Sequence, residues 1–196
     1  SSDLEGGAII DAGHSFGIGC DKQDFLPSSA SNAPAPPVLL RAELPNNWKA
    51  VCAIPDLPKG VHDSEEINIF QEYCPIPLKE IRALSHLILM RLMPALIRCD
   101  FSVICDTIEK FQCIGFKKRE VDLRGGELRA ILSQWRDAGA PCAGMSSFGP
   151  MIYSFAQDQK SAEELKDRIE SILKNRINSS FITGFNNHGS RRMQIE

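Results

Sequence analysis

Hydrophobic residues near the N-terminus occur in short runs that predict strands. The runs at residues 6–10, 38–43 and 48–54 are rich in Ile, Leu, Val or Trp, and Gly, Asp or Pro closes them. A Pro-Asn-Asn turn separates the second run from the third, so the two could form adjacent antiparallel strands. Residues 15–37 are rich in Gly, Ser, Asn, Ala and Pro, which predicts a long connection: a functional loop, a lid or a domain boundary.

In the middle of the chain, apolar residues recur every three or four positions, and this spacing predicts helices. We expect a short helix at 64–73, a long one at 78–98, and two more at 101–114 and 126–138. The long helix needs one buried face, which carries Leu78, Ile81, Leu84, Ile88, Leu92 and Leu96. Pro94 should kink this helix, because it lacks a backbone donor and crowds the carbonyl four residues earlier.

The last third of the chain returns to strand patterns around one more helix. Short strands are predicted at 141–145, 151–155 and 180–183. Ser161 with Glu164 is typical of a capping box, so a helix should begin there and continue to about Lys174. A polar tail follows at 186–192. This order of elements predicts an α+β fold, with helices packed on one face of a largely antiparallel sheet.

Charge and hydropathy narrow the functional classes. The 22 Lys and Arg residues nearly balance 25 Asp and Glu, and no dense basic run argues for a nucleic-acid or anionic membrane partner. The longest apolar stretch, residues 87–97, contains Arg91 and Pro94 and is shorter than the roughly 20 residues that a bilayer crossing needs. Residues 1–7 lack the pattern of a signal peptide, so we expect a cytoplasmic protein.

The seven cysteines are scattered, odd in number and without a C-x-x-C pair. This pattern argues against a disulfide framework and against a zinc knuckle, so we expect reduced thiols, several of them packed as small hydrophobes. His62, His86 and His188 show no metal-ligand spacing with each other or with a cysteine. No metal site built from protein side chains alone is therefore predicted.

The loop at residues 144–150 is the sharpest candidate for chemistry. Gly144 and Gly149 allow tight turns that expose N–H groups, and Ser146 and Ser147 add hydroxyl donors, which together can hold a phosphate. The alternative is a hairpin whose glycines only satisfy turn geometry. A P-loop is excluded, because no Gly-Lys-Ser/Thr follows.

Two other segments carry candidate ligand groups. Around the long connection, acidic groups could hold Mg²⁺ on a diphosphate and Lys22 could contact a phosphate, or the stretch is a solvated loop. The polar residues there are Asp11, His14, Ser15, Asp21, Lys22, Gln23, Asp24, Ser28 and Ser29. In the loop at 56–60, Asp56 and Lys59 could face a ligand or form an ion-paired surface turn. The basic triplet at 117–119 is expected to be a solvated helix end.

Five motifs, in this order along the chain, resemble those of one family. They are Gly-His-Ser-Phe-Gly-Ile-Gly at 13–19, Gln-Asp-Phe-Leu-Pro-Ser-Ser at 23–29, Ala-Ile-Pro-Asp-Leu-Pro-Lys-Gly at 53–60, Asn-Ile-Phe-Gln-Glu-Tyr-Cys-Pro-Ile-Pro at 68–77 and Gly-Met-Ser-Ser-Phe-Gly-Pro at 144–150. On these residues the chain resembles the archaeal β-ribofuranosylaminobenzene 5′-phosphate synthases, which are similar in fold to the GHMP kinases but are not kinases. The resemblance implies a GHMP kinase-like C-terminal domain.

The resemblance also implies an activity in methanopterin biosynthesis. In that reaction, which depends on Mg²⁺, 4-hydroxybenzoate or 4-aminobenzoate displaces pyrophosphate from phosphoribosyl pyrophosphate, loses CO₂ and gives a C-riboside. Phosphate contacts carry over to Gly144, Ser146, Ser147 and Gly149. Other positions match family motifs, and their chemistry suggests Mg²⁺-diphosphate or water contacts for Asp24 and Asp56, phosphate or carboxylate contacts for Lys59, Ser28 and Ser29, and a place near the arene for His14.

The family's members are longer, so the resemblance implies that this chain is a C-terminal portion. Residues 1–45 would be the remnant of an N-terminal domain with its linker, and residues 46–196 the C-terminal domain. Small-molecule substrates are the expected partners, and a homodimer is possible. Without a partner domain, the apolar face of 78–98 should be partly uncovered and favour self-association. The competing hypotheses are a GHMP-type small-molecule kinase, disfavoured by the bulkier 144–150 loop, and a ligand-binding module without activity.

Overall fold

The structure, a computed structural model, describes residues 7–11, 38–60 and 64–189. Its strands form two separate antiparallel sheets. A two-stranded sheet pairs β1 (Ala8–Asp11) with β2 (Val38–Ala42). A four-stranded sheet has the order β4-β5-β3-β6, where β3 is Lys49–Pro55, β4 is Gly144–Met145, β5 is Ile152–Ala156 and β6 is Ile177–Gly184.

The pairing suggested for the runs at 38–43 and 48–54 is wrong. β2 pairs with β1, whereas β3 lies between β5 and β6. The burial of the two strands gives the reason: five of the seven residues of β3 are buried, as a central strand requires, but β2 has none. The turn between them therefore changes sheets and does not close a hairpin.

Seven α-helices occur in the described part of the chain. They are α1 (Ser64–Tyr73), α2 (Leu78–Leu87), α3 (Met93–Arg98), α4 (Phe101–Phe111), α5 (Gly115–Leu123), α6 (Gly125–Asp137) and α7 (Gln159–Leu173). The sequence pattern predicted all of them except α5, and it joined α2 and α3 into one helix.

A π-helical segment, Ile88–Leu92, connects α2 to α3 where a simple kink at Pro94 was predicted. The N–H of Met93 donates to the carbonyl of Ile88, five residues earlier. The wider turn takes up one extra residue and places Pro94 in the first turn of α3, where a missing backbone donor costs little.

The main core lies between the four-stranded sheet and two helices. Val51 and Ala53 of β3 and Ile152 of β5 are completely buried and lie on the same face of the sheet. Against them pack the apolar faces of α6 and α7, with Leu128, Ile131, Leu132, Trp135, Leu165, Ile169 and Leu173. Alternation in the strands and a spacing of three and four in the helices thus meet in one core, as the α+β prediction requires.

A second cluster covers the start of β3. Leu44 and Trp48 pack there against Ala95 and Leu96 of α3 and Ile104 of α4, with residues of β1 and β2 at its margin. No described helix has both the length and the apolar character that a membrane crossing needs. Six cysteines within the described ranges are free thiols, and four of these are buried.

The start of α7 differs from the predicted capping box. The N-cap residue is Asp158, whose carboxylate accepts a hydrogen bond of 2.7 Å from the N–H of Ser161. The hydroxyl oxygen of Ser161 in turn accepts a hydrogen bond from the Asp158 N–H, so Ser161 is the third residue of the helix and not its cap. The helix therefore begins at Gln159, before the predicted start.

Candidate functional site

Sheet register brings two of the three candidate segments to one end of the fold. Ala53 near the end of β3 pairs with Ile152 at the start of β5, and Ile152 pairs with Met145 at the end of β4. The loop that follows β3 and the loop between β4 and β5 therefore leave the sheet side by side. We call them the 56–60 loop and the 146–151 loop.

The two loops are in direct backbone contact. A β-carbon added to Gly60 would lie 2.6 Å from the carbonyl oxygen of Gly149 and 2.7 Å from that of Phe148. Real β-carbons do not approach backbone oxygens so closely, so only glycine fits at position 60. This contact joins segments that lie about 90 residues apart in the sequence.

The 146–151 loop closes the β4–β5 hairpin with a tight turn. The N–H of Gly149 donates to Ser146 O at 2.8 Å, and the N–H of Ser146 donates to Met151 O at 2.9 Å. Ser147 and Gly149 both have a positive φ, +43° and +76°. The N–H groups of Ser147 and Phe148 make no hydrogen bond to any residue that the structure describes. The segment is thus a hairpin turn that also offers two backbone donors.

Phe148 anchors this loop to the helices. Its ring is buried and lies in edge-to-face geometry 6.4 Å from that of Phe70 in α1 and 6.0 Å from that of Phe116 in α5. Phe70 and Phe116 stack on each other at 4.3 Å. No sequence motif marked this anchoring role of Phe148, which rests on ring contacts with distant helices.

Lys117 holds the loop from the side of α5. Its ammonium group donates a 2.9 Å hydrogen bond to the carbonyl of Ser147 and forms an ion pair with Glu120. Glu120 is buried, and desolvation raises its pKa while Lys117 acts in the opposite direction. The solvated helix end predicted at 117–119 is wrong, because these residues lie inside α5 and are half-buried.

Arg124, between α5 and α6, contacts both loops. Its guanidinium donates to the carbonyl of Lys59 at 3.0 Å and to the carbonyl of Pro58. Its Nε lies 3.5 Å from where a Gly149 β-carbon would stand, and this Nε is buried with no hydrogen-bond partner among the described residues. No sequence motif marked Arg124 beforehand.

The side chains of Asp56 and Lys59 are exposed. Neither forms an ion pair with a described residue, so the predicted alternative of an ion-paired turn finds no support in this part of the chain. The Asp56 N–H donates to Arg176 O at 2.8 Å, which holds the start of the loop beside β6. Both side chains are therefore accessible to a ligand.

The long connection lies outside the described residues. His14, Asp24, Ser28 and Ser29 lie outside the described residues, as do the other candidates at 15–23, so their predicted roles stay predictions. Within the described ranges, no three metal-ligating side chains cluster. Cavities of about 490 Å³ lie elsewhere, one beside Arg168 and Ser171 of α7 and one beside Lys110 and Arg136.

Comparison with known families identifies this architecture. Residues 92–175, from the π-helical segment to the end of α7, match the family described as GHMP kinases C terminal. The chain carries a GHMP kinase C-terminal domain. The homoserine kinase of Cytophaga hutchinsonii shares the fold with a TM-score of 0.61 at 19% identity, over 79% of this chain and 46% of that one. The mevalonate kinase of L. major gives 0.56 at 14% identity, over 78% and 46%.

Sequence relatives confirm the resemblance stated above. The β-ribofuranosylphenol 5′-phosphate synthase of Methanothermobacter thermautotrophicus is 42% identical over 186 residues, which cover 95% of this chain and 54% of that protein. The protein of the same name from Methanocaldococcus jannaschii is 40% identical over 166 residues, 83% of this chain and 48% of that one. The chain thus spans about half the length of these relatives. Both contacting loops overlap segments that carried the resemblance, and the 146–151 loop lies inside the match at residues 92–175.

Proposed function

We propose that this chain contributes the C-terminal half of a pentosyltransferase of the β-ribofuranosylphenol 5′-phosphate synthase type. Its substrates would be phosphoribosyl pyrophosphate and 4-hydroxybenzoate or 4-aminobenzoate. The observation that carries the proposal is the 42% identity to such a synthase across 95% of the chain. The contact between the 56–60 and 146–151 loops supports it, because these segments carry family motifs and meet at one end of the sheet.

The proposed reaction forms one carbon–carbon bond, breaks the bonds to the diphosphate and to the carboxylate, and needs no oxidant. A bond forms between C1 of the ribose and the ring carbon that bears the carboxylate, while the bond from C1 to the diphosphate oxygen breaks. The diphosphate leaves with that electron pair, and loss of CO₂ returns an electron pair to the ring. The protein has to stabilise positive charge at C1, neutralise the leaving diphosphate and hold the two carbons in line. No covalent nucleophile is required.

The described residues offer the groups that a diphosphate needs. The N–H groups of Ser147 and Phe148 make no hydrogen bond to a described residue, and the hydroxyls of Ser146 and Ser147 lie in the same turn. Lys59 supplies an exposed ammonium group on the neighbouring loop. Backbone donors next to one or two cations are a common way to bind phosphate groups. We assign these groups to the diphosphate.

A magnesium ion fits this site only together with the substrate. The exposed Asp56 carboxylate is a single oxygen ligand, and Mg²⁺ in proteins is commonly held by one or two carboxylates plus substrate phosphates. Asp24, outside the described residues, is the second candidate carboxylate. Bound in this way, the ion would neutralise charge on the leaving diphosphate. Binding and orientation of the diphosphate would remain the task of the two loops.

A radiochemical assay tests the proposal. The chain is assayed alone, and also fused behind the N-terminal half of the M. thermautotrophicus relative, with Mg²⁺, phosphoribosyl pyrophosphate and either arene labelled at its carboxylate. We expect equal amounts of labelled CO₂ and pyrophosphate from the fusion, and at least a tenfold loss in Lys59→Met. Lys174→Met, which changes an exposed lysine beyond α7, is the matched control and should keep full activity.

Two outcomes would overturn the proposal. A folded fusion that releases neither CO₂ nor pyrophosphate from either arene would do so. ATP-dependent phosphorylation of an acceptor by the same fusion would replace it with a kinase activity. The solved kinases share only the fold, at under 20% identity, so they give no argument for that activity in advance.

A further inference from the structure

The side chain of Arg124 contacts both candidate loops. Two of its guanidinium nitrogens donate to consecutive carbonyls, Pro58 O and Lys59 O, just before the glycine that touches the 146–151 loop. Its Nε lies beside Gly149. Arg124 directly follows α5, and the same helix carries Phe116 and Lys117 near its start. One side chain on a helical frame thus reaches both loops.

The charge of Arg124 sets it apart from similar residues. Four described arginines are half-buried, and three of them lie within 4 Å of a carboxylate: Arg91 with Asp106, Arg119 with Glu80 and Arg176 with Glu127. Arg124 has no carboxylate partner among the residues that the structure describes. Desolvation by burial lowers its pKa from the ordinary value of an arginine.

An arginine in this position does more than a lysine could. The planar guanidinium can donate to two neighbouring carbonyls at once in a fixed geometry, whereas an ammonium group is a single point charge. Carbonyl groups neutralise none of the net charge. A cation held rigidly between two backbone loops, with no counter-ion supplied by the described residues, is complementary to an anionic ligand bound across those loops.

We propose that Arg124 is a positioning residue that locks the 56–60 loop against the 146–151 loop and tunes the pair, through its positive charge, to a diphosphate group. The assignment of the ligand rests on the proposed function, but the locking of the loops does not. Removal of the side chain should release the 56–60 loop from the turn and separate the donors of Ser147 and Phe148 from Lys59. Removal of the charge alone should weaken anion binding.

Titration with inorganic pyrophosphate tests both parts on the full chain. Calorimetry gives the affinity of wild type, Arg124→Lys, Arg124→Met and the control Arg82→Met, which changes an exposed arginine of α2. We expect Arg124→Met to lose at least tenfold in affinity, Arg124→Lys to recover part of that loss, and Arg82→Met to remain within twofold of wild type. The salt dependence of binding should become shallower in Arg124→Met but not in Arg124→Lys.

Backbone amide NMR provides a readout independent of affinity. In ligand-free Arg124→Met, the amides of both Lys59–Gly60 and Ser147–Gly149 should shift together, while those of β6 stay in place. If Arg124→Met fails to fold, Arg124→Lys still tests the locking role. This variant retains the aliphatic stem and the charge, but its ammonium group cannot donate to the carbonyls of both Pro58 and Lys59 in the geometry of a guanidinium. Unchanged loop amides in either folded variant would overturn the locking role.

The ligand assignment fails separately. Wild type that shows no saturable pyrophosphate binding, or Arg124→Met that binds as tightly as wild type, overturns it. If the synthase assay fails while pyrophosphate binding still depends on Arg124, the proposed function falls and the Arg124 proposal stands. If the assay succeeds and Arg124→Met keeps full activity and affinity, the proposed function stands and the Arg124 proposal falls.

Discussion

The side-chain amide of Asn187 pairs with the backbone of Leu44 as a neighbouring strand would. Its Nδ2 donates to Leu44 O at 2.8 Å, and its Oδ1 accepts from the Leu44 N–H at 3.1 Å. Asn187 is buried, although the sequence placed it in a polar tail. Its own carbonyl accepts a 2.6 Å bond from Arg41. One asparagine after β6 thus satisfies the backbone where the chain leaves β2 and turns toward β3.

Replacement of Asn187 should therefore destabilise the fold well beyond the loss of a surface residue. In Asn187→Ala, the buried N–H and carbonyl of Leu44 lose their partners, at about 1–3 kcal/mol for each unsatisfied group. We expect the free energy of unfolding to fall by about 3 kcal/mol in urea denaturation. Asn178→Ala, on an exposed position of β6, is the matched control and should change it by less than about 0.5 kcal/mol. Equal midpoints for the two variants would contradict the role of Asn187.

Local patterns predicted most of the elements, and contacts between distant residues explain what they missed. Strand and helix spacing located β3, β5, α1, α4, α6 and α7 to within a few residues. The partner of β2 could not be predicted, because both edges of β3 pair with β5 and β6, which come much later in the sequence. The burial of Asn187 likewise depends on Leu44, which is 143 residues away in the sequence.

The candidate site was predicted in part. The glycines and serines of the 146–151 loop and the polar residues of the 56–60 loop were selected from their own residue types. Their contact follows from the register of three strands, which no local motif encodes. Lys117 and Arg124 were missed for a related reason: each contacts loop carbonyls, and a carbonyl acceptor leaves no trace in the sequence.

The contact at Gly60 predicts a large difference between two glycine substitutions. In Gly60→Ala, the new methyl group would collide with the backbone oxygens of Phe148 and Gly149, so one loop must move. We expect a loss of about 1–3 kcal/mol in unfolding free energy and weaker pyrophosphate binding. Gly126→Ala is the control: its added methyl meets nothing within 4 Å, and it lies in α6. That variant should be neutral or more stable by about 0.5 kcal/mol.

Thermal and urea unfolding of both glycine variants measures the first effect, and calorimetry with pyrophosphate the second. A Gly60→Ala protein as stable as Gly126→Ala, with wild-type affinity, would show that the two loops do not need this close approach.

Burial of Glu120 predicts a pH dependence of stability with a definite sign. Because its pKa is raised in the folded state, the folded protein binds the proton more tightly than the unfolded chain. The resulting stabilisation is fully present below the unfolded pKa of about 4.3 and is lost as pH rises through the higher folded pKa. Relative to Glu120→Gln, wild type should lose unfolding free energy as pH rises from 4 to 8.

Glu170 provides the opposite case as a control. Hydrogen bonds from Lys166 and Ser180 lower its pKa, so its stabilisation is present above the unfolded pKa and is lost as pH falls. Relative to Glu170→Gln, the unfolding free energy of wild type should increase as pH rises through the lower part of the same range. Urea denaturation at half-unit steps of pH gives both slopes, and slopes of the same sign would refute the assignment for Glu120.

The helical segment from α2 to α3 predicts self-association. Within the described residues, α2 and the π-helical segment bury no side chain, and the exposed fractions of Leu89, Met90 and Ile97 are 51%, 68% and 67%. Exposed apolar side chains this close together usually mark a surface that is covered by another protein surface. We expect the mass of the isolated chain in sedimentation velocity to rise with concentration, and the double variant Met90→Lys/Ile97→Lys to remain monomeric. Ile172→Lys, at an exposed apolar position of α7, should associate like wild type. A wild-type chain that stays monomeric at all concentrations would show that the chain does not self-associate. A double variant that still associates would place the contact on another surface.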